Sequence, residues 1–198
     1  LEWNLVDDLV SPTKFNDLVK QRADEFAVRS DRPTDQEGIR LAPLKVKHED
    51  KSYHYSSLRV DLNPEMGVGE ITILGSNDDV PNDVNQLLFE GDRFWPLRVA
   101  RELDDAILQI RFNELEIGVI VFKSMGSPVE VARYCNFLQQ NKDHWLVREI
   151  VFYWTRVLKR IDLTSRSLVS LITPDSCFAG FLAEIIFASD RSFMCEDV

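Results

Sequence analysis

The sequence predicts an α/β fold, and three observations predict it. Two apolar runs, Ile117–Phe122 (IGVIVF) and Ser167–Ile172 (SLVSLI), fit strands buried on both faces, as in a parallel sheet. Apolar stripes at helical spacing lie before and between them, at Leu97, Ala100, Leu103, Ile107 and Ile110 and at Val147, Ile150, Trp154, Val157 and Ile161. The order from residue 58 is strand, strand, helix, strand, helix, helix, strand, helix, which is a pattern of strands joined by crossover helices.

Each element has its own warrant. Leu5–Val10 (LVDDLV) is a short apolar piece holding two acids. Ser11–Pro12 opens a helix, because proline suits the first helical position. Phe15, Leu18, Val19, Ala23 and Phe26 give that helix an apolar stripe to about Ser30. Asp31–Gly38 (DRPTDQEG) reads as a linker. His48–Tyr55 is polar and suggests no element. Leu58–Leu62 and Glu70–Leu74 alternate as strands around a Pro64–Gly67 turn. Asn77–Asn85 is acidic and irregular, and Pro96 starts the next helix, which Asn113–Glu116 ends. Ser127–Pro128–Val129–Glu130 has the pattern of a capping box. Asp143–Arg160 is helical, and Ser167–Ile172 then runs into a tight turn at Pro174–Asp175–Ser176. An apolar helix carrying the single acid Glu184 follows.

Composition narrows the function. A length of 198 residues gives one large domain or two small ones, and a net charge of −10 argues against nucleic acid and anionic membrane as partners. No apolar run approaches the roughly 18 residues of a membrane span. Cys135, Cys177 and Cys195 are odd in number and lack zinc-ligand spacing. They read as the reduced thiols of a cytoplasmic protein.

The chemistry-bearing candidates are few. Glu184 stands in an apolar run, so it is expected to be buried, and a buried carboxylate is neutral, paired or functional. The competing reading is an acid near a helix N-terminus, stabilised by the dipole. Cys177 lies in a strand-to-helix turn, and His144 is a conceivable base for it, but a small buried cysteine is the commoner finding. His48 and His54 are expected to be solvated. Arg156, Lys159, Arg160 and Arg166 form either a phosphate-binding group or the wet face of a helix. Trp145, Phe152, Tyr153 and Trp154 suggest a helix packed on more than one side.

Several of these strings resemble the crotonase (enoyl-CoA hydratase) family. PLRVARELDDAILQIRFNELEIGVIVFKSMG is similar to that family's helix, strand and loop, and SLVSLITPDSCFAGFLAEIIFASDRSFM to the unit in which a strand enters a glutamate-bearing helix and ends at Ala-x-Asp, here Ala188–Ser189–Asp190. Asn4–Val10 and the helix after it resemble the carboxy-terminal end of such a unit. The resemblance implies the crotonase-like (ClpP/crotonase) α/β architecture of β-β-α units. Residues 1–47 would be the end of a first unit plus connector, and residues 48–198 the incomplete start of a second. The chain, opening at Leu1 and stopping at Val198, is then expected to be an internal piece of a longer polypeptide and inactive alone. The implied substrate is an acyl-CoA thioester, with no metal or redox cofactor, and the implied assembly is a homo-oligomer. Glu184 matches the family's first catalytic glutamate. Gly180 and Phe181 match the turn whose backbone amide holds the thioester oxygen. Phe181 stands where the family has glycine, and Ser124–Glu130 lacks the family's Ala-Gly-x-Asp, so the alternative to a catalytic unit is a structural half supporting an upstream catalytic one.

Overall fold

A computed structural model describes residue 3, residues 5–31 and residues 37–196. The chain divides into two compact units, residues 1–38 and 39–198. The first holds α1 (Pro12–Val28), entered through Ser11 with proline in its first turn, as expected. None of the α1 residues is buried. Arg22 ties the helix to Asp8 at 2.9 Å and pairs within it with Glu25 at 2.7 Å. Most of the expected linker, residues 32–36, and Asn4 at the start of the expected unit end lie outside the described residues.

The second unit is built on one sheet of seven strands in sequential order. β1 (Lys47–Glu49), β2 (Ser52–His54), β3 (Leu58–Asn63) and β4 (Val68–Leu74) form an antiparallel meander. β5 (Val119–Met125), β6 (Ser167–Ile172) and β7 (Arg191–Met194) then add in parallel. Helices α2 (Val84–Glu90) and α3 (Trp95–Asn113) cross from β4 to β5, and α4 (Pro128–Gln140) and α5 (Trp145–Asp162) from β5 to β6. A 3-10 turn, Gly180–Leu182, and the six-residue α6 (Ala183–Ala188) cross from β6 to β7.

The core follows the stripes read from the sequence. Leu103, Ile107 and Ile110 of α3 and Val147, Val157 and Ile161 of α5 are closed off from solvent with Leu58, Val60, Ile71, Ile73, Ile120 and Phe122 of the sheet. Each such side chain contributes roughly 1.5–3 kcal/mol through removal from water.

Four expectations need correction. Neither β5 nor β6 is buried on both faces: Ile120, Phe122 and Ser124 of β5 and Leu168 and Ser170 of β6 are buried, whereas Val119, Val121 and Lys123 of β5 and Val169 and Leu171 of β6 are half-buried. On that second face Lys123 pairs with Glu70 of β4 at 2.6 Å. The polar stretch 48–55 contributes β1 and β2, whose strands are three residues each. Residues 84–90 form α2, capped by Asp83, whose carboxylate accepts the Gln86 amide at 2.8 Å. The capping box at Ser127 is half made. Its hydroxyl takes the Glu130 amide at 3.4 Å, but the Glu130 carboxylate turns to Arg133 at 2.9 Å.

Candidate functional site

Parallel strands bring their C-terminal ends, and the loops after them, to one side of a sheet, where open α/β sheets hold ligands. Here the loops after β4 and β5 meet at Gly75 and Gly126. Gly75 donates its amide to Met125 at 2.7 Å. A Cβ on Gly126 would stand 2.9 Å from the Gly75 Cα, and Gly126 has φ +149°, so only glycine fits. Beside this crossing lies a cleft of about 590 Å³, lined among others by Ser76, Asp78, Asp79, Ser127, Glu130 and Arg133. Three acids face one arginine there, and Glu130 already pairs with that arginine, a poor setting for a phosphate.

The turn after β6 is latched onto the end of β5. Gly126 donates to the Asp175 carbonyl at 2.9 Å, and the Cys177 amide to Ser124 Oγ at 3.0 Å. Within the turn, Ser176 closes back on Thr173 at 2.9 Å. Serines 124 and 176 thus fix where the chain leaves the sheet. The chain passes through buried Cys177 and reaches Gly180, Phe181 and Glu184.

Gly180 and Phe181 lie in the 3-10 turn, and Glu184 follows in the first turn of α6. Gly180 has φ +49°, and the space a side chain would fill there belongs to Cys135 of α4, whose sulfur lies 2.0 Å from a Cβ built on Gly180. The Phe181 ring sits between two tryptophans, with centroids 4.6 Å from Trp154 and 5.7 Å from Trp95. Both indoles are anchored: Trp95 donates to the Leu74 carbonyl at 3.1 Å and Trp154 to the Pro96 carbonyl at 2.9 Å. Glu184 is exposed, which corrects the expectation of a buried carboxylate. The apolar run around it misled, because α6 is under two turns long and buries Ile185 alone.

The cysteine–histidine pairing has no support. Cys177 is fully buried, and burial raises its thiol above the ordinary value, against ionisation. His144 caps α5 through Nδ1, which accepts the Leu146 amide at 3.3 Å. Burial lowers its pKa, so the ring is neutral near pH 7. Of the basic group, Arg160 pairs with Asp104 at 2.5 Å and Arg156 lies over the Tyr153 ring at 4.6 Å. His48 is exposed and meets Tyr53 edge to face, and half-buried His54 bonds Ser52 at 3.0 Å.

Two residues were not singled out from the sequence. Cys135 gave no signal, since only the fold brings α4 to Gly180. Buried Glu102 of α3 accepts the Ser56 and Ser57 amides at 3.2 and 2.7 Å and the Ser56 hydroxyl at 2.5 Å. Arg98 adds a bond to Ser57 Oγ at 2.7 Å. Acids recurring along a helix stripe were the available signal for Glu102.

No protein-family model matches the chain. Over 195 residues, 98% of its length, it is 37% identical to a benzoyl-CoA-dihydrodiol lyase of Aromatoleum evansii. The chain is related to that lyase. It spans 35% of the lyase's length. Solved structures that it resembles include an enoyl-CoA hydratase from Geobacillus kaustophilus HTA426, with 19% identity and a TM-score of 0.47 over 72% of this chain and 47% of that one. An enoyl-CoA hydratase from Bacillus anthracis gives 13% and 0.40, over 76% of this chain and 46% of that one. The succession read from the apolar pattern after residue 58, strand, strand, helix, strand, helix, helix, strand, helix, is that of β3, β4, α3, β5, α4, α5, β6 and α6, with α2 and β7 as additions.

Proposed function

We propose that the chain works within a longer polypeptide as part of a carbon–carbon lyase for a benzoyl-CoA-derived thioester. In this reading the whole protein opens the ring of 2,3-epoxybenzoyl-CoA by hydrolysis and releases formate, in aerobic benzoate breakdown. The 37% identity across nearly the whole chain carries the reading. Residues 1–47 are read as the end of one crotonase-like unit with its connector, and 48–198 as the start of the next. The protein is read as cytoplasmic and homo-oligomeric, with the acyl-CoA as its substrate and no metal or redox cofactor invoked. No helix among the described residues is long and apolar enough to cross a membrane.

Two readings divide the 180–184 turn. In the first, Glu184 transfers a proton and the Phe181 amide, in the turn opened by Gly180, holds the thioester oxygen. In the second, the turn completes the core beside a catalytic unit elsewhere in the polypeptide. The Cys135 sulfur in the side-chain space of Gly180, the Phe181 ring against Trp95 and Trp154, and the exposure of Glu184 favour the second, which we adopt.

The assay is formate release from 2,3-epoxybenzoyl-CoA. The full-length protein is expected to turn over and the 198-residue chain alone to give none; a full-length protein without formate release overturns the lyase reading. Glu184→Gln in the full-length protein is expected to leave turnover unchanged. A loss of about a hundredfold or more restores Glu184 to acid–base work.

A further inference from the structure

Residues 39–46 belong to no helix or strand, yet side chains of the second unit take both backbone polar groups of Ala42. Its amide donates to the Asp92 carboxylate at 2.7 Å, and its carbonyl accepts from the Arg101 guanidinium at 2.6 Å. Asp92 stands in a 3-10 turn, Gly91–Arg93, and Arg101 in α3. The two side chains pair with each other at 3.3 Å and are only 20% and 14% exposed. An acceptor and a donor side by side offer an extended residue what a neighbouring strand would offer it, with charge behind both bonds. The bracket reads backbone alone. Apolar side chains hold the segment on either side of it: Ile39 and Val46 pack on the core, and Leu44 is half-buried.

β1 follows directly. It is three residues long, all of them exposed, and it pairs with β2 at three positions. No buried side chain of its own anchors it, and a short element without such an anchor frays easily. Behind it, Ser52 and Tyr53 of β2 are buried. We infer that Asp92 and Arg101 form a backbone clamp that holds residues 39–46 as a strap, and that the strap keeps β1 on the edge of the sheet. Val46, packed on the core, joins the strap to Lys47 without a break. A chain released at Ala42 leaves β1 with its pairing to β2 as its main hold. Once β1 lifts, β2 becomes the edge and offers its unpaired backbone groups to other strands. The charges of Lys47 and Glu49 thus guard that edge only while the clamp is shut.

Limited trypsin digestion of the full-length protein, read by mass spectrometry, tests the clamp, and amide hydrogen exchange of residues 47–54 tests the hold on β1. Arg40 and Lys45 have exposed side chains, so the order of the strap is what protects the bonds after them. Lys159, exposed on α5, serves as the internal control. Asp92→Ala is expected to speed cleavage after Arg40 and Lys45 by about tenfold, the scale of one lost hydrogen bond, with cleavage after Lys159 unchanged. Exchange at 47–54 is expected to rise by a similar factor. Unchanged cleavage after Arg40 and Lys45 overturns the clamp. Faster cleavage with unchanged exchange at 47–54 overturns the hold on β1, which would then stand by itself. If Asp92→Ala also speeds cleavage after Lys159, the whole fold has loosened and Arg101→Lys is read instead. That variant keeps the charge but loses the planar fork, so about threefold faster cleavage in the strap is expected, and no change overturns the clamp.

Discussion

At the scale of single residues, the least replaceable polar group is the Glu102 carboxylate. It is 3% exposed and answers two backbone amides and a hydroxyl of the turn between β2 and β3. Glu102→Ala leaves those donors without an acceptor, and a cost of about 3 kcal/mol is expected in urea denaturation. Glu102→Gln keeps an acceptor and should cost about 1 kcal/mol. A loss under about 1 kcal/mol for the alanine variant would show that water replaces the carboxylate. The tyrosines make a second case. All four, Tyr53, Tyr55, Tyr134 and Tyr153, have raised pKa values, with burial as the largest cause. Tyr53 and Tyr55 also donate to Glu114 and Asp105, which disfavours the phenolate further. The folded state thus holds these protons above the roughly pH 10 at which an unfolded chain releases them. Their stabilisation is complete below that pH and is lost as the pH rises through the higher folded values. Tyrosinate absorbance is expected to appear in one step together with loss of circular dichroism. A tyrosine titrating near pH 10 with the dichroism intact would contradict this.

At the scale of elements, legibility in the sequence tracks length and period. α3 and α5 run 19 and 18 residues with sustained stripes, and β6 has the bounds its apolar run suggested. β1, β2 and β7 escaped because three or four residues carry no period, and their pairing is set by distant partners. The half-covered face of β5 escaped for another reason: Val119 and Val121 look identical to core residues until the Glu70–Lys123 pair marks their side as wetter. At the candidate site, a strand running through a turn into a helix that carries Glu184 was legible in the sequence pattern. The exposure of Glu184 was not, since it depends on which side of a six-residue helix meets the core. α2 shows how little holds a short element. Leu87 is its one buried residue, and Asp83 caps it. Asp83→Ala is expected to cost about 1 kcal/mol, and Asp83→Asn, which keeps a capping oxygen, a few tenths. Equal losses in the two variants, measured by denaturant titration, would mean that the cap bond is not what holds α2.

At the scale of the whole molecule, the sheet is open, and its two edges are defended unequally. β1 is a short edge bearing Lys47 and Glu49, paired to each other at 2.6 Å, and charge of this kind deters strand addition. β7 is the opposite edge. All four of its residues are exposed, Phe193 and Met194 among them, and Phe187 of α6 adds another exposed apolar side chain close by in sequence. Parallel strands are ordinarily covered on both faces, so this edge presents apolar side chains and unpaired backbone groups together. The net charge of −10 opposes association through long-range repulsion, and salt removes that opposition within a Debye length of roughly 10 Å at 0.1 M. The 198-residue chain, kept reduced so that exposed Cys195 cannot cross-link, is therefore expected to self-associate at tens of micromolar, more strongly as salt rises. Phe193→Lys places a charge on the edge and should return the sedimenting mass to the 22.9 kDa of one chain without changing its circular dichroism. A wild-type chain that sediments as a monomer in high salt would show that β7 is not an adhesive edge; a Phe193→Lys variant that still associates would move the contact elsewhere on the surface.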